Sequence, residues 1–111
     1  MQIGEQRHGA VMVIKPEGAL VAEEIDAFRT RLEALHCDAM GRVVVDLNDV
    51  PFVDSSGLEV LLDVSEQMAE QGRALRLCRV NETVREVLEL TDLASHFEQY
   101  DDATHAVRSF L

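Results

Sequence analysis

The run Val43-Val44-Val45-Asp46-Leu47 constrains this chain more than any other feature. Successive residues of a strand point to opposite faces, so a β-branched run this apolar buries hydrocarbon on both sides. Such a strand is central and covered twice. After the loop that follows it, apolar residues recur at helical spacing through Leu58, Leu61, Leu62, Ser65 and Met68, and Gly72 stands where a left-handed cap would stop the helix. Leu75 to Cys78 reads as the next strand. A crossover of that length suits parallel pairing, which predicts an α/β sheet.

The flanking segments extend this pattern. Ile3 to Arg7 and Val11 to Lys15 flank His8-Gly9 and predict a hairpin, with glycine at the second turn position and Pro16 ending the second strand. From Val21 onward Ile25, Phe28, Leu32 and Leu35 recur at three- and four-residue steps, the signature of an amphipathic helix, with Gly41 at its exit. Asn81 is the expected N-cap of a helix carrying Val84, Val87 and Leu88. Phe97 to Tyr100 predicts a short edge strand, and Asp101 or Asp102 caps a last helix with Ala103, Ala106, Val107 and Phe110. The expected fold is α/β: one domain over residues 1–111, a mixed sheet of four or five strands with flanking helices.

Charge narrows the functions open to it. Ten basic against twenty-one acidic residues leave a net charge of −11, with Lys15 the one lysine. Phosphate contacts need clustered cations, so no nucleic-acid partner is expected. No window approaches the roughly 20 apolar residues of a membrane span, so no membrane insertion is expected. Nor does the N-terminus have the long apolar stretch of a secretory signal. Cys37 and Cys78 lie far apart without a Cys-x-x-Cys or a histidine pair, which points to free buried thiols in a reducing compartment rather than a disulfide or zinc site. The expected location is the cytoplasm, with no cofactor and no metal. Oligomeric state is not readable from these residues.

The stretch Val43 to Leu62 is where chemistry concentrates. A buried strand runs into Asp54-Ser55-Ser56-Gly57, with two hydroxyls at a helix start where backbone N–H groups lack partners and the helix dipole is positive. By residue type alone, Asp54, Ser55 or Ser56 is a helix cap, with an anion or phosphoserine site as the alternative. No serine-hydrolase elbow is present, since Val53 and not glycine lies two residues before Ser55. His8, His36, His96 and His105 read as surface residues with none placed as a base, so no catalytic residue is expected. The pairs Glu23-Glu24 and Asp101-Asp102 suit helix starts, and no calcium-loop spacing occurs. The methionines, Met40 and Met68 among them, read as core filler apart from the first residue.

Val44-Val45-Asp46-Leu47, Val50, Phe52-Val53-Asp54-Ser55-Ser56-Gly57-Leu58 and Leu61 resemble the signature of the STAS domain family, most closely its bacterial anti-sigma factor antagonists. The resemblance covers nearly the whole chain. It implies that Ser55 is the phosphoacceptor of a serine protein kinase that is also the anti-sigma factor, with Ser56 the second candidate. Asp54 would shape the loop, Gly57 would let the backbone turn into the helix, and Asp54, Ser55, Ser56, Gly57, Leu58 and Glu59 would form the partner-binding surface. A PP2C-type phosphatase would reset the switch. Two positions depart from the family pattern: Glu59 stands where a glycine is frequent, and Gly18-Ala19-Leu20-Val21 lacks the acidic residue common in that loop. Glu59 in the first helical turn would favour the dipole and repel a phosphate. The alternative within the same family is an accessory subunit of an ABC-type lipid transporter, which needs no phosphorylation.

Overall fold

The computed structural model describes residues 1–38 and 42–111, with the side chains of 36–38 left out. The expected helix exit at Gly41, and the expectations for His36, Cys37 and Met40, fall outside the described residues. Strands β1 (Gln2–His8), β2 (Val11–Glu17), β3 (Arg42–Asp46), β4 (Ala74–Cys78) and β5 (Glu98–Tyr100) alternate with helices α1 (Ile25–Asp38), α2 (Ser55–Glu70), α3 (Glu82–Leu90) and α4 (Ala103–Arg108). The strand order follows the chain, β1-β2-β3-β4-β5, with β1 antiparallel to β2 and every later pair parallel.

That order dictates where the helices go. Parallel crossovers are right-handed, and when each new strand is added to the same edge, successive crossovers fall on the same face. Phe28 and Leu32 of α1, Leu61 and Val64 of α2, and Val84 and Leu88 of α3 accordingly share one core with Val43, Val45 and Leu47. Val44, pointing the other way, joins Val11, Val13, Cys78 and Ala106 beneath α4. The two-sided burial read from the Val43 run is thus met by three helices on one side and a single short one on the other. The helix ends match the sequence: Asn81 caps α3 by accepting from the Val84 N–H, Asp102 caps α4 through the His105 N–H, and Gly72, at φ +70, follows the last turn of α2.

Two details of the hairpin differ from expectation. The loop is Gly9-Ala10 rather than His8-Gly9, because His8 pairs with Val11. Only Gly9 has positive φ (+63), the pattern of a type II′ turn, which places glycine first. Pro16 does not end β2 but lies within it, opposite Ile3. The ladder to β3 spans only Met12 to Ile14, so beyond Ile14 the second side of β2 has no strand to supply and a missing N–H costs no bond there. Helix α1 starts at Ile25, because residues 22–24 form turns.

Candidate functional site

The site grows from the end of β3. Asp46 is buried (2% exposed), and its carboxylate receives the Arg79 Nε–H at 3.1 Å to each oxygen and the Arg79 Nη2–H at 2.5 Å. The same carboxylate accepts the Asn48 N–H at 3.0 Å, turning the chain out of the sheet. Arg79 has φ +50, an unfavourable conformation for a side-chain-bearing residue, and the bidentate pair with Asp46 offsets its cost. That pairing, with Asp46 as the main cause, raises the Arg79 guanidinium above its ordinary pKa. Sequence reasoning did not find this pair. The signal was there: an aspartate ending a doubly buried strand requires a cationic partner.

Beyond it the loop is pinned from two sides. The Asn81 side-chain amide donates to the Val50 carbonyl at 2.6 Å, and the Gly18 N–H donates to the Asp49 carbonyl at 3.0 Å. Leu20 forms an isolated parallel bridge with Val53: its N–H donates to the Phe52 carbonyl at 3.0 Å, and the Asp54 N–H donates to the Leu20 carbonyl at 3.1 Å. The Gly18-to-Val21 loop therefore lies directly against the serine loop.

Asp54 is the cap of α2. Its Oδ1 accepts the N–H groups of Ser56 at 2.9 Å and Gly57 at 3.1 Å, and its Oδ2 accepts the Ala22 N–H at 3.2 Å. The open choice of cap among Asp54, Ser55 and Ser56 thereby closes on Asp54. It also means that the Ser56 and Gly57 N–H groups at the helix start are already taken by a carboxylate. Ser55, first residue of the helix, is exposed, Ser56 is half-buried, and neither hydroxyl has a hydrogen-bond partner among the described residues.

The rest of the predicted surface divides. Gly57 and Leu58 are buried and support the surface from beneath, whereas Glu59 is exposed. Gly57 does not turn the chain; it is a helical residue that admits close packing, because a Cβ there would meet the Leu20 carbonyl oxygen at 2.4 Å and Val53 Cγ1 at 2.8 Å. Glu59 is the fifth residue of α2, outside the first turn, so the dipole does little for it. No Lys or Arg lies on α2; Glu59, Glu66 and Glu70 are exposed, and Asp63 pairs with Arg29 of α1 at 3.3 Å. Phe52, just before the bridge, is 46% exposed.

No hydrogen bond links a described histidine to either serine. His105 pairs instead with Asp102 on α4, and its backbone N–H and ring hold that carboxyl below its usual range. Among the described residues no group of three metal-ligating side chains occurs, and no helix is long and apolar enough to cross a membrane. Cys78 is buried, and burial, with Asp46 adding to it, pushes its thiol up to about 12.

Comparison with known proteins gives a consistent picture. The family model of the STAS domain matches residues 3–106. The anti-sigma F factor antagonist of Paenibacillus polymyxa is 28% identical over 96% of this chain and 92% of its own. The crystal structure of an anti-sigma factor antagonist from Mycobacterium paratuberculosis superposes with a TM-score of 0.85 at 22% identity, over 97% of this chain and 92% of the other. The Bacillus cell fate determinant SpoIIAA in its phosphorylated form gives 0.72 at 16% identity, over 97% and 99%.

Proposed function

The chain belongs to the STAS domain family, and we propose that within it the protein is an anti-sigma factor antagonist switched by phosphorylation of Ser55. Unphosphorylated, it binds a serine kinase that is also the anti-sigma factor and so frees the sigma factor. Phosphate on Ser55 ends that binding, and a PP2C-type phosphatase restores it. The exchange takes place in the cytoplasm.

One observation carries the reading: with Asp54 as cap, the exposed Ser55 hydroxyl has no structural task and is free to act as an acceptor. The carboxylate at the helix N-terminus supports release by repulsion. A phosphate adds about −1.5 to −2 charges. Here it cannot settle onto the Ser56 and Gly57 N–H groups without displacing Asp54, so its charge stays on the surface beside Asp54 and Glu59. A surface that is already acidic becomes more so at the point of contact, and the partner is released by repulsion and by the cost of desolvating the phosphate. The names of the Paenibacillus relative and of phosphorylated SpoIIAA support the role.

The test is intact-mass measurement and phosphopeptide mapping after incubation with the cognate kinase and ATP. One phosphate on Ser55 is expected, lost in Ser55→Ala and kept in Ser56→Ala. Ser55→Ala should bind the kinase constitutively; Ser55→Asp, with one charge rather than nearly two, should release it only in part. Phosphate on Ser56 moves the site by one residue. No phosphate on either serine refutes the switch and favours the constitutive transporter-subunit class.

A further inference from the structure

We propose that Phe52 is the apolar anchor by which the unphosphorylated chain docks on its kinase, entering an apolar socket rimmed by Lys and Arg; this rests on the functional reading above. Three large hydrophobic side chains are exposed among the described residues: Phe52, Leu90 and Leu111. Leu111 follows α4, and Leu90 ends α3, both away from the serine loop in the chain. Phe52 alone lies three residues from Ser55.

Its setting is that of a preorganised contact. The Phe52 carbonyl is held by the Leu20 N–H, and the next residue, Val53, is buried and bridged to Leu20. The backbone that presents the ring is thus fixed before any partner arrives, so binding orders only the ring itself. A rigid aromatic with two rotatable bonds and a large area to bury is a side chain of the kind enriched in the buried core of interfaces. Folding leaves that area in water at the rim of the proposed phosphosite.

Charge identifies the occupant. Along the chain Phe52 is followed by Asp54 and the exposed Glu59 and preceded by Asp49, which pairs with Lys15 at 3.3 Å; α2 has no basic residue, and the chain as a whole carries −11. A second copy would set acid against acid; a socket with cationic margins would not. The arrangement divides the labour of the switch. Burial of the ring supplies affinity, and the neighbouring Ser55 decides whether a phosphate must be desolvated to reach it.

The experiment is calorimetric titration of the kinase, loaded with a non-hydrolysable ATP analogue, with the unphosphorylated full chain. Phe52→Ala should raise Kd on the order of 30-fold, the ratio expected of a hot-spot residue. Phe52→Leu should lose less, and Leu90→Ala should stay within about twofold of wild type. Phe52→Ala should also melt close to wild type, since half the ring is already in water. Wild-type binding with Phe52→Ala unchanged overturns the anchor alone, and an equal loss in Leu90→Ala does the same. Failure of the wild-type chain to bind overturns the functional reading and the anchor with it. A dimer of the free chain that Phe52→Ala abolishes in sedimentation assigns the ring to a second copy and overturns the kinase socket.

Discussion

Replacing Gly57 with alanine sets two rules against each other. In a helix interior, Gly→Ala gains about 1 kcal/mol in propensity, so reasoning from the helix alone expects a more stable protein. The new Cβ, however, would lie 2.4 Å from the Leu20 carbonyl oxygen and 2.8 Å from both Leu20 Cβ and Val53 Cγ1. Ordinary contact begins near 3.4 Å, so the start of α2 and the Leu20 strand must part by about 1 Å. Neither side gives easily. Leu20 is tied by its N–H to Phe52 and by its carbonyl to Asp54, and Asp54 ties the helix to Ala22. Overpacking of this kind costs about 1–3 kcal/mol, and loosening two hydrogen bonds adds roughly 1 kcal/mol each. Subtracting the propensity gain leaves a net loss of about 3 kcal/mol. For a chain of this size that lowers Tm by roughly 13 °C. Urea titration and a thermal scan, both followed by circular dichroism, read it. A Tm equal to or above wild type would refute the close-packing argument.

Three further outcomes follow from the same geometry. Asp54→Ala removes a cap that serves three N–H groups and should cost about 1–2 kcal/mol in urea unfolding, whereas Ser55→Ala should stay within about 0.5 kcal/mol; a reversed order would make the serine the cap. Arg79→Ala strands the buried Asp46 carboxylate and should cost roughly 2–4 kcal/mol by the same assay, with Arg79→Lys intermediate; an effect no larger than that of a surface substitution would show the pair to be idle. In a Cys37→Ser background, Cys78, with its thiol pushed up to about 12, should resist iodoacetamide at pH 8 until urea unfolds the chain. Because the folded thiol ionises later than the unfolded one (ordinary value 9.0), its contribution to stability is present below pH 9 and lost as pH rises toward 12; rapid alkylation of the native chain would contradict the burial.

What the chain's residues settled by themselves is local and periodic. The two-sided apolar run of β3, the helical spacing of α2, the Asn81 and Asp102 caps and the stop at Gly72 each follow from rules that span a few neighbours, so they could be read directly. The serine loop was legible for the same reason, as a hydroxyl pair at a strand-to-helix junction. The hairpin shows the edge of that legibility. Both placements of the glycine suit a tight turn, and only the β1–β2 register, set by pairing along the whole strand, chose Gly9 as the first loop residue. Pro16 likewise depended on where β3 stops pairing with β2.

Tertiary structure alone decided what the serine loop rests on. Gly57 looked like a turn residue until Leu20, 37 positions earlier, was brought against it. Asp46 looked like a strand terminus until Arg79, 33 positions later, closed on it in a backbone conformation that side chains resist. Both contacts join segments distant in sequence, and no local period or propensity encodes them. They exist because sequential parallel strands bring their carboxyl ends to one end of the sheet, where the segment after β2 meets the loop after β3 at Leu20 and Asp54, and the residue after β4, Arg79, meets Asp46 at the end of β3. The residues that bear the chemistry could be read in order along the chain; the packing that holds Asp54 in the cap and leaves Ser55 free could not, because it is a property of which ends meet.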